Sequence, residues 1–237
     1  NAEWHYRRII GKLNFLEKTT RPDIAYATHQ CARFCEDPKQ SHAKAVIHLV
    51  QYLNGTRDKG IILDPNRLKS LECYADADFS GNWNRTTAAD DPSTAKSRTG
   101  FVIMLADCPL FWSYKLQTQI ALSTTEAEYI ALSQALRDLI PIMNLLLELK
   151  EHGLSIVSEV PRVHCKAFED NSGALELARL PKLRPRTKHI NLVYHHFRQH
   201  VRDGLISIFP IDTADQLGDI FTKPLPQNAF LKHRKKL

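Results

Sequence analysis

The feature that most constrains this chain is a change in the spacing of its apolar residues after an Asp-Pro-Asn turn at residues 64–66. Between residues 6 and 16 apolar side chains recur every three or four positions, and this spacing predicts a helix. Residues 70–79 instead alternate apolar with other side chains, which predicts a strand. Because the turn is a natural boundary, we expect a helical segment over residues 1–66 and a second domain over residues 67–237.

The second domain is predicted to be α/β, with elements in the order β-β-β-α-α-β-α-α-β-α. This order is typical of a mixed sheet with helices packed on it. The long helical stretch in its middle is either two helices or one helix kinked at Pro141. The predicted strands are 60–63, 70–79, 99–105, 110–116, 162–168 and 205–210, and the predicted helices are 123–149, 171–180, 188–202 and 214–221.

Composition excludes several classes of protein. Hydrophobic residues make up 43% and charged residues 24% of the chain, which is typical of a globular protein and not of a disordered one. No apolar run reaches about 18 residues, so no membrane span is expected. The five cysteines are odd in number and contain no Cys-x-x-Cys pair, which disfavours a disulfide framework or zinc site and favours a reducing compartment. Cys31 and Cys35, one helical turn apart, are interpreted as buried residues on one face.

The net charge of +6 is unevenly distributed along the chain. Residues 1–62 carry +4, residues 63–160 carry −5 and residues 161–237 carry +7. Such a distribution suits a site that concentrates carboxylates between flanks that hold a polyanion. The stretch 179–202 contains seven Lys or Arg and no acidic residue, so we favour phosphate-backbone binding over a solvated surface. The candidate nucleic-acid-binding residues are Arg179, Lys182, Arg184, Arg186, Lys188, His189, His195 and Arg198.

Aspartates occur at three places where a site would need them. Asp76 and Asp78 lie on one face of the predicted strand 70–79, and alternation alone cannot choose between them. Asp170 follows a strand and precedes a predicted helix, where capping the helix is the default interpretation. Asp219 lies within the last predicted helix, where exposure to solvent is the default.

Two glutamates begin the long predicted helix and are assigned different roles. Ser123 and Glu126 form a Ser-x-x-Glu capping box, which gives Glu126 a structural role. Glu128 stands at the head of an apolar stripe that must face the core, so we favour a functional role for it. The stripe consists of Leu132, Ala135 and Leu139.

Taken together, these carboxylates predict a magnesium site. Carboxylate oxygens are preferred ligands of Mg²⁺, and two such ions about 4 Å apart can clamp the attacking and leaving oxygens of a phosphodiester. Clustered carboxylates would repel one another without the cations. The candidate ligands are one of Asp76 and Asp78, with Glu128, Asp170 and Asp219.

Six ordered motifs in the second domain resemble the ribonuclease H domain of copia-type retrotransposon polyproteins. The regions 6–13, 20–26 and 52–56 resemble the end of the preceding reverse transcriptase, its thumb and connecting region. The six motifs are Tyr-Ala-Asp-Ala-Asp-Phe-Ser-Gly (74–81), Lys-Ser-Arg-Thr-Gly-Phe (96–101), Ala-Leu-Ser-Thr-Thr-Glu-Ala-Glu-Tyr-Ile-Ala-Leu (121–132), Glu-Asp-Asn-Ser-Gly-Ala (169–174), Arg-Thr-Lys-His-Ile (186–190) and Gln-Leu-Gly-Asp-Ile-Phe-Thr-Lys-Pro-Leu (216–225).

The resemblance implies a fold, an activity and a set of site residues. The fold is RNase H-like, a five-stranded mixed sheet flanked by helices, and the activity is hydrolysis of the RNA strand of RNA–DNA hybrids during reverse transcription. The implied cofactors are two Mg²⁺ ions, for which Mn²⁺ could substitute. The implied partners are an RNA–DNA hybrid and the upstream polymerase domain, with no membrane, and the implied location is the cytoplasm, in a virus-like particle, or the nucleus. The implied catalytic and metal-binding residues are Asp76, chosen over Asp78, with Glu128, Asp170 and Asp219.

Two other functions compete with this one. An integrase of the same fold is disfavoured because integrases place their glutamate last, whereas the order here is Asp, Glu, Asp, Asp. A catalytically inactive or domesticated module that binds nucleic acid or the polymerase domain is disfavoured by the four intact acidic positions. Gly218 stands where the family usually has alanine, at a small expected cost in helix stability. The polymerase signature Tyr-x-Asp-Asp is absent, so we do not expect the chain itself to polymerise.

Overall fold

The first part of the chain folds into three helices because its apolar residues follow helical spacing. In the computed structural model, α1 spans Tyr6–Thr19, α2 spans Ala25–Ala32 and α3 spans Gln40–Gly55. Cys31 is buried in the core that the helices share, as expected, whereas Cys35 packs against this core and is only partly buried. The short strand predicted at 60–63 is wrong, because these residues have no regular secondary structure. The buried residues of this core are Tyr6, Ile10, Leu13, Ile24, Cys31, Val46 and Leu49.

The second part of the chain is built on one sheet. The structure describes residues 5–66, 68–86, 91–153, 163–180 and 192–237, and the chain divides into two compact units, residues 1–62 and residues 63–236. In the second unit the strand order is β3-β2-β1-β4-β5. β1 to β3 pair antiparallel, whereas β4 pairs parallel with both β1 and β5. The strands are β1 (Leu71–Asp78), β2 (Arg98–Leu105), β3 (Cys108–Leu116), β4 (Cys165–Glu169) and β5 (Ile206–Pro210).

The predicted sheet is confirmed, and the strands predicted at 99–105 and 110–116 form a hairpin, but the sequence placed its turn at residues 107–109 and β3 in fact begins at Cys108. β2 and β3 are joined by Ala106 and Asp107, whose positive φ angles of 55° and 66° suit a tight two-residue turn. The five strands form a mixed sheet with helices packed on it, as the resemblance implied. The helices of this unit are α4 (Thr124–Glu151), α5 (Ser172–Arg179), α6 (Arg198–Arg202), α7 (Asp219–Thr222) and α8 (Gln227–Arg234).

Helix α4 is the central helix of the sheet's core. It runs unbroken through Pro141, so the alternative of two helices is wrong. Its buried residues, including Leu132 and Leu139, pack in one cluster with Cys73 and Ala75 of β1. Among the described residues, α4 is the one helix long and apolar enough to cross a membrane, a criterion that a buried core helix also meets.

Two predicted helices near the C-terminus are interrupted in the structure. Instead of one helix over 214–221, a 3-10 turn at Thr213–Asp215 precedes α7, because the fully buried Gln216 bonds to the sheet and breaks the helical path. The helix predicted over 188–202 is a 3-10 turn at Leu192–His195 followed by α6, and residues 188–191 lie outside the described residues. Helix α8 was not predicted, although its last turn carries three basic residues, a common feature of helix ends.

Candidate active site

The candidate site lies where the two central parallel strands separate. The pairing of β1 with β4 runs from Leu71 opposite Cys165 to Tyr74 opposite Phe168 and then stops. Beyond that point the Gln216 amide donates a 3.0 Å hydrogen bond to the carbonyl of Ala75. Open α/β sheets bind ligands in such a crevice at the carboxyl ends of their strands. The candidate carboxylates are therefore at the position where this architecture leaves room for a ligand.

Asp76 and Asp78 are distinguished by their surroundings. Asp76 is 1% exposed, accepts a hydrogen bond from the hydroxyl of Thr222, and has its Oδ1 3.6 Å from Nζ of Lys223. Asp78 is only partly buried and lies beside Gly81. Burial and then the charge of Asp76 raise the pKa of the Asp78 carboxyl. Asp76 thus shares its surroundings with α7, which the strand pattern alone could not reveal.

Asp219 is the first residue of α7 and lies beside Asp76. Burial, followed by the charge of Asp76, raises the pKa of Asp219 to about 7. The helix can approach this closely because Gly218 has no side chain: a Cβ there would lie 2.9 Å from Cβ of Asp76 and 3.0 Å from its backbone nitrogen. Gly218 precedes α7 and is not inside it, so the expected cost in helix stability does not apply. Its role is to allow close packing. The interpretation of Asp219 as a solvent-exposed helix residue is wrong, because it is 4% exposed.

Asp170 follows β4 and does not cap helix α5. The cap is Asn171, whose Oδ1 accepts a 3.0 Å hydrogen bond from the backbone of Ala174. Asp170 Oδ2 instead accepts a 2.8 Å bond from the Thr213 hydroxyl. Burial raises the pKa of Asp170, and the Thr213 bond opposes that rise. The prediction that Asp170 caps α5 is therefore wrong, and its carboxylate lies in the crevice with Thr213.

The two glutamates at the start of α4 have different hydrogen-bond partners, as the helical spacing predicted. Glu126 donates its backbone N–H to Ser123 Oγ at 3.1 Å, and its carboxylate accepts a 2.8 Å bond from the backbone of Leu122, one residue earlier than a standard capping box would have it. Glu128 is 6% exposed and accepts a 2.8 Å bond from the backbone N–H of Ala77 in β1. Burial, followed by the charge of Asp76, raises the pKa of Glu128 well above its usual range.

The carboxylates form two overlapping groups among the described residues. One oxygen from each of Asp76, Asp170 and Asp219 lies within 4.8 Å of the other two. The same holds for Glu128, Glu169 and Asp170, so Asp170 belongs to both groups. The structure therefore brings together all four residues that the sequence analysis selected, and their roles as ligands and catalysts stay predictions.

Two residues at this site were missed by the sequence analysis. Lys223 Nζ lies 2.8 Å from Asp219 Oδ1; burial disfavours its charge, but the charge of Asp76 and the hydrogen bond to Asp219 outweigh this and raise the pKa of Lys223. Its position four residues after Asp219 was the available signal. Glu169 is 1% exposed, and its alternation with Cys165 and Ala167 along β4 was the signal that it points inward.

The predicted nucleic-acid-binding residues are only partly described. Arg179 donates to the backbone carbonyl of Ile208, and Arg198 donates to that of Leu180, so both guanidinium groups have structural partners. His195 Nδ1 lies 2.6 Å from the Tyr129 hydroxyl and links its turn to α4. Their contact with phosphate stays a prediction. The others lie outside the described residues, and they are Lys182, Arg184, Arg186, Lys188 and His189.

Comparisons with solved structures return RNase H domains. The N-terminal RNase H domain of rv2228c from Mycobacterium tuberculosis is 15% identical, with a TM-score of 0.42 over 70% of this chain and 96% of that one. LC11-RNase H1, isolated from compost, is 17% identical, with a TM-score of 0.42 over 69% of this chain and 96% of its own.

Comparisons of sequence identify the relatives of the chain. No protein-family model matches it. It is 36% identical over 232 residues to the retrovirus-related Pol polyprotein from transposon RE2 of Arabidopsis thaliana, and 34% identical over 232 residues to that from transposon TNT 1-94 of Nicotiana tabacum. The matches cover 98% and 97% of this chain but only 15% and 16% of the relatives' length. Over nearly its whole length the chain is therefore similar to one segment of copia-type retrotransposon Pol polyproteins.

Proposed function

We propose that this chain is a ribonuclease H that hydrolyses the RNA strand of RNA–DNA hybrids during retrotransposon reverse transcription. The observation that carries the proposal is the approach of Asp76, Asp170 and Asp219 to within 4.8 Å of one another, with Glu128 in the adjoining group. Buried carboxylates at such distances repel one another unless cations are bound. Similarity to a segment of the Pol polyproteins supports a nuclease in the context of reverse transcription.

The donor set fits divalent magnesium. All the grouped residues offer carboxylate oxygens, which are the hard ligands that Mg²⁺ and Mn²⁺ prefer, and neither group contains histidine or cysteine. When bound, two such ions would activate a water for in-line attack on the RNA phosphate and stabilise the leaving 3′ oxygen, which leaves a 5′-phosphate and a 3′-hydroxyl. The residues proposed to hold them are Asp76, Glu128, Asp170 and Asp219.

The surrounding residues orient these carboxylates before any substrate arrives. The backbone N–H of Ala77 fixes Glu128, the Thr213 hydroxyl fixes Asp170 and the Thr222 hydroxyl fixes Asp76. Partners of this kind set the direction in which a ligand presents its oxygens. Lys223 adds a positive charge that offsets part of the repulsion between Asp76 and Asp219.

The substrate and partners follow from the charge distribution and the family. The cationic stretch 179–202 would follow the phosphate backbone of the hybrid, and contacts to ribose 2′-hydroxyls would select the RNA strand. The helical segment 1–66 would be the end of the reverse transcriptase, next to the upstream polymerase domain of the same polyprotein. The location we propose is the virus-like particle in the cytoplasm, or the nucleus.

A cleavage assay tests this proposal. Labelled RNA–DNA hybrid, RNA duplex and DNA duplex are incubated with the chain and Mg²⁺, and cleavage of the RNA in the hybrid alone is expected. Glu128→Gln should lower cleavage by more than about 100-fold, because losing a metal ligand costs at least as much as losing a residue that orients one. Glu126→Gln is the matched control from the same helix turn and should retain nearly full activity.

Either of two results would contradict the proposal. Binding of hybrid by the unaltered chain without Mg²⁺-dependent cleavage would favour the inactive binding module instead. Full activity of Glu128→Gln, or loss of activity in a normally folded Glu126→Gln, would overturn the assignment of the catalytic glutamate.

A further inference from the structure

Glu169, the last residue of β4, carries a buried carboxylate that the proposed mechanism does not use. It lies on the same side of β4 as Cys165 and Ala167, which pack in the core beside α4. Its Oε1 accepts a 3.0 Å hydrogen bond from the backbone N–H of Asn171. Its Oε2 is buried and has no hydrogen-bond partner in the structure. A buried carboxylate oxygen without a hydrogen-bond partner lowers the stability of the folded state. We therefore expect a ligand to contact Oε2.

The position of Glu169 indicates what that ligand is. One of its oxygens lies within 4.8 Å of one oxygen of Glu128 and one of Asp170. Three carboxylates converging in a buried space cannot all remain ionised without a cation. The space among them therefore suits a divalent cation with carboxylate ligands.

We propose, on the basis of the proposed function, that Glu169 is a fifth carboxylate ligand and holds one of the two divalent ions together with Glu128 and Asp170. The residues that would hold the other ion are those of the first group, Asp76, Asp170 and Asp219. With Glu169 included, five carboxylates and the ammonium of Lys223 carry a formal charge of −4, equal and opposite to that of two divalent cations. Without Glu169 the charges do not balance.

A purely structural role for Glu169 makes a different prediction. If Glu169 were a protonated acid that only fills space and donates to a neighbour, its amide would replace it with the same shape and a donor. Glu169→Gln would then bind metal as the unaltered chain does. A ligand role requires the charged oxygen, which the amide lacks.

The test is metal binding by the full chain without nucleic acid. Mn²⁺ and Mg²⁺ are titrated calorimetrically into the unaltered chain, Glu169→Gln and Glu72→Gln. Glu72 is the matched control because it is also a buried glutamate of this sheet, but its carboxylate is paired with Lys69 and the Tyr74 hydroxyl. Glu169→Gln should weaken binding by about 10-fold or more and reduce the rise in melting temperature that Mn²⁺ produces. Glu72→Gln should leave metal affinity unchanged.

Further variants separate failure of this inference from failure of the proposed function. If Glu128→Gln weakens Mn²⁺ binding but a folded Glu169→Gln does not, the inference about Glu169 is overturned and the proposed function stands. If the unaltered chain binds neither ion, both are overturned. Should Glu169→Gln not fold, as judged by circular dichroism, Glu169→Asp retains the charge but withdraws it by one methylene. It should also weaken binding, and unaltered binding in that variant would refute the inference.

Discussion

Buried charge is handled in opposite ways in the two units of this chain. In the first unit Asp23 is paired twice with Arg21, at 2.8 and 2.9 Å, and accepts a 2.6 Å bond from the Tyr52 hydroxyl. Arg21 also donates to Thr56, both to its carbonyl and to its hydroxyl. In the described part of the second unit five carboxylates form two overlapping groups, and Lys223 is paired with two of them, Asp76 and Asp219. Fully paired buried charge fixes a structure, whereas incompletely compensated charge of one sign is typical of a functional site.

The largest expected effect is on the paired side of this comparison. Arg21→Ala should lower the free energy of unfolding by about 3–5 kcal/mol, because it leaves the Asp23 carboxylate buried without its counter-charge. Denaturant unfolding followed by circular dichroism measures the loss. The double variant Arg21→Met, Asp23→Leu is the control and should lose less, since no charge is left unpaired. A loss below about 1 kcal/mol for Arg21→Ala would show that the pair does not fix the fold.

The carboxylates of the second unit, which lack enough positive partners, should make the free energy of unfolding of the metal-free chain depend on pH. The pKa of Asp219 is raised to about 7, so between its ordinary value near 4 and pH 7 the folded chain holds more protons than the unfolded chain. The free energy of unfolding should therefore fall as pH rises through this range, and the raised pKa values of Glu128, Glu169 and Asp170 act in the same direction.

Thermal melting in the presence of a chelator measures this dependence. The melting temperature should be lower at pH 8 than at pH 5.5, and added Mg²⁺ should restore stability at pH 8. Asp219→Asn is the control and should flatten the dependence. A metal-free protein that is more stable at pH 8 would contradict the view that the site is uncompensated.

A smaller effect is expected where backbone packing holds the acidic residues together. Gly100 of β2 lies opposite Asp76, and a Cβ there would be 2.6 Å from Thr222 Cγ2 and 2.7 Å from Phe221 Cβ. Gly100→Ala should push α7 outward, lower the free energy of unfolding by about 1–3 kcal/mol and weaken Mn²⁺ binding. Gly55→Ala is the control, because no atom beyond its chain neighbours and its own helix backbone lies within 4 Å of its Cβ position. Equal stability of the two variants in denaturant unfolding would show that α7 is not held in place by this contact.

The smallest expected effect concerns the glutamate whose hydrogen bonds are already made. Glu126→Gln keeps a side-chain oxygen for the Leu122 N–H and leaves the Ser123 cap in place. It should lower the free energy of unfolding by less than about 1 kcal/mol and leave metal affinity unchanged.

The same measurements on Glu128→Gln give the contrast. The stability of the metal-free chain should be equal or higher in this variant, because one carboxylate no longer repels the others. A large loss of metal affinity in Glu126→Gln would contradict the separation of the two residues.

Local sequence patterns predicted most of the sheet and one side chain of the site. Alternating strands, the hairpin formed by β2 and β3 and the apolar stripe after Glu128 depend on neighbouring residues, so they can be predicted without the fold, although the hairpin turn was expected at 107–109. The errors fall where a distant contact overrides local preference. The last predicted helix is interrupted because Gln216 bonds to Ala75, which is 141 residues away in sequence. The strand predicted at 60–63 has no sheet to join.

The sequence by itself determined the order of the five strands of the sheet, the different surroundings of Glu126 and Glu128 on α4 and the resemblance to copia-type Pol polyproteins. Only the tertiary structure decided that Asp219 and Lys223 meet Asp76, that Asn171 and not Asp170 caps α5, and that Glu169 approaches Glu128. The physical reason is that spacing along a helix or strand fixes which residues share a face, but not what that face meets. The carboxylate groups form from β1, α4, β4 and α7, and their proximity exists only after the sheet has assembled.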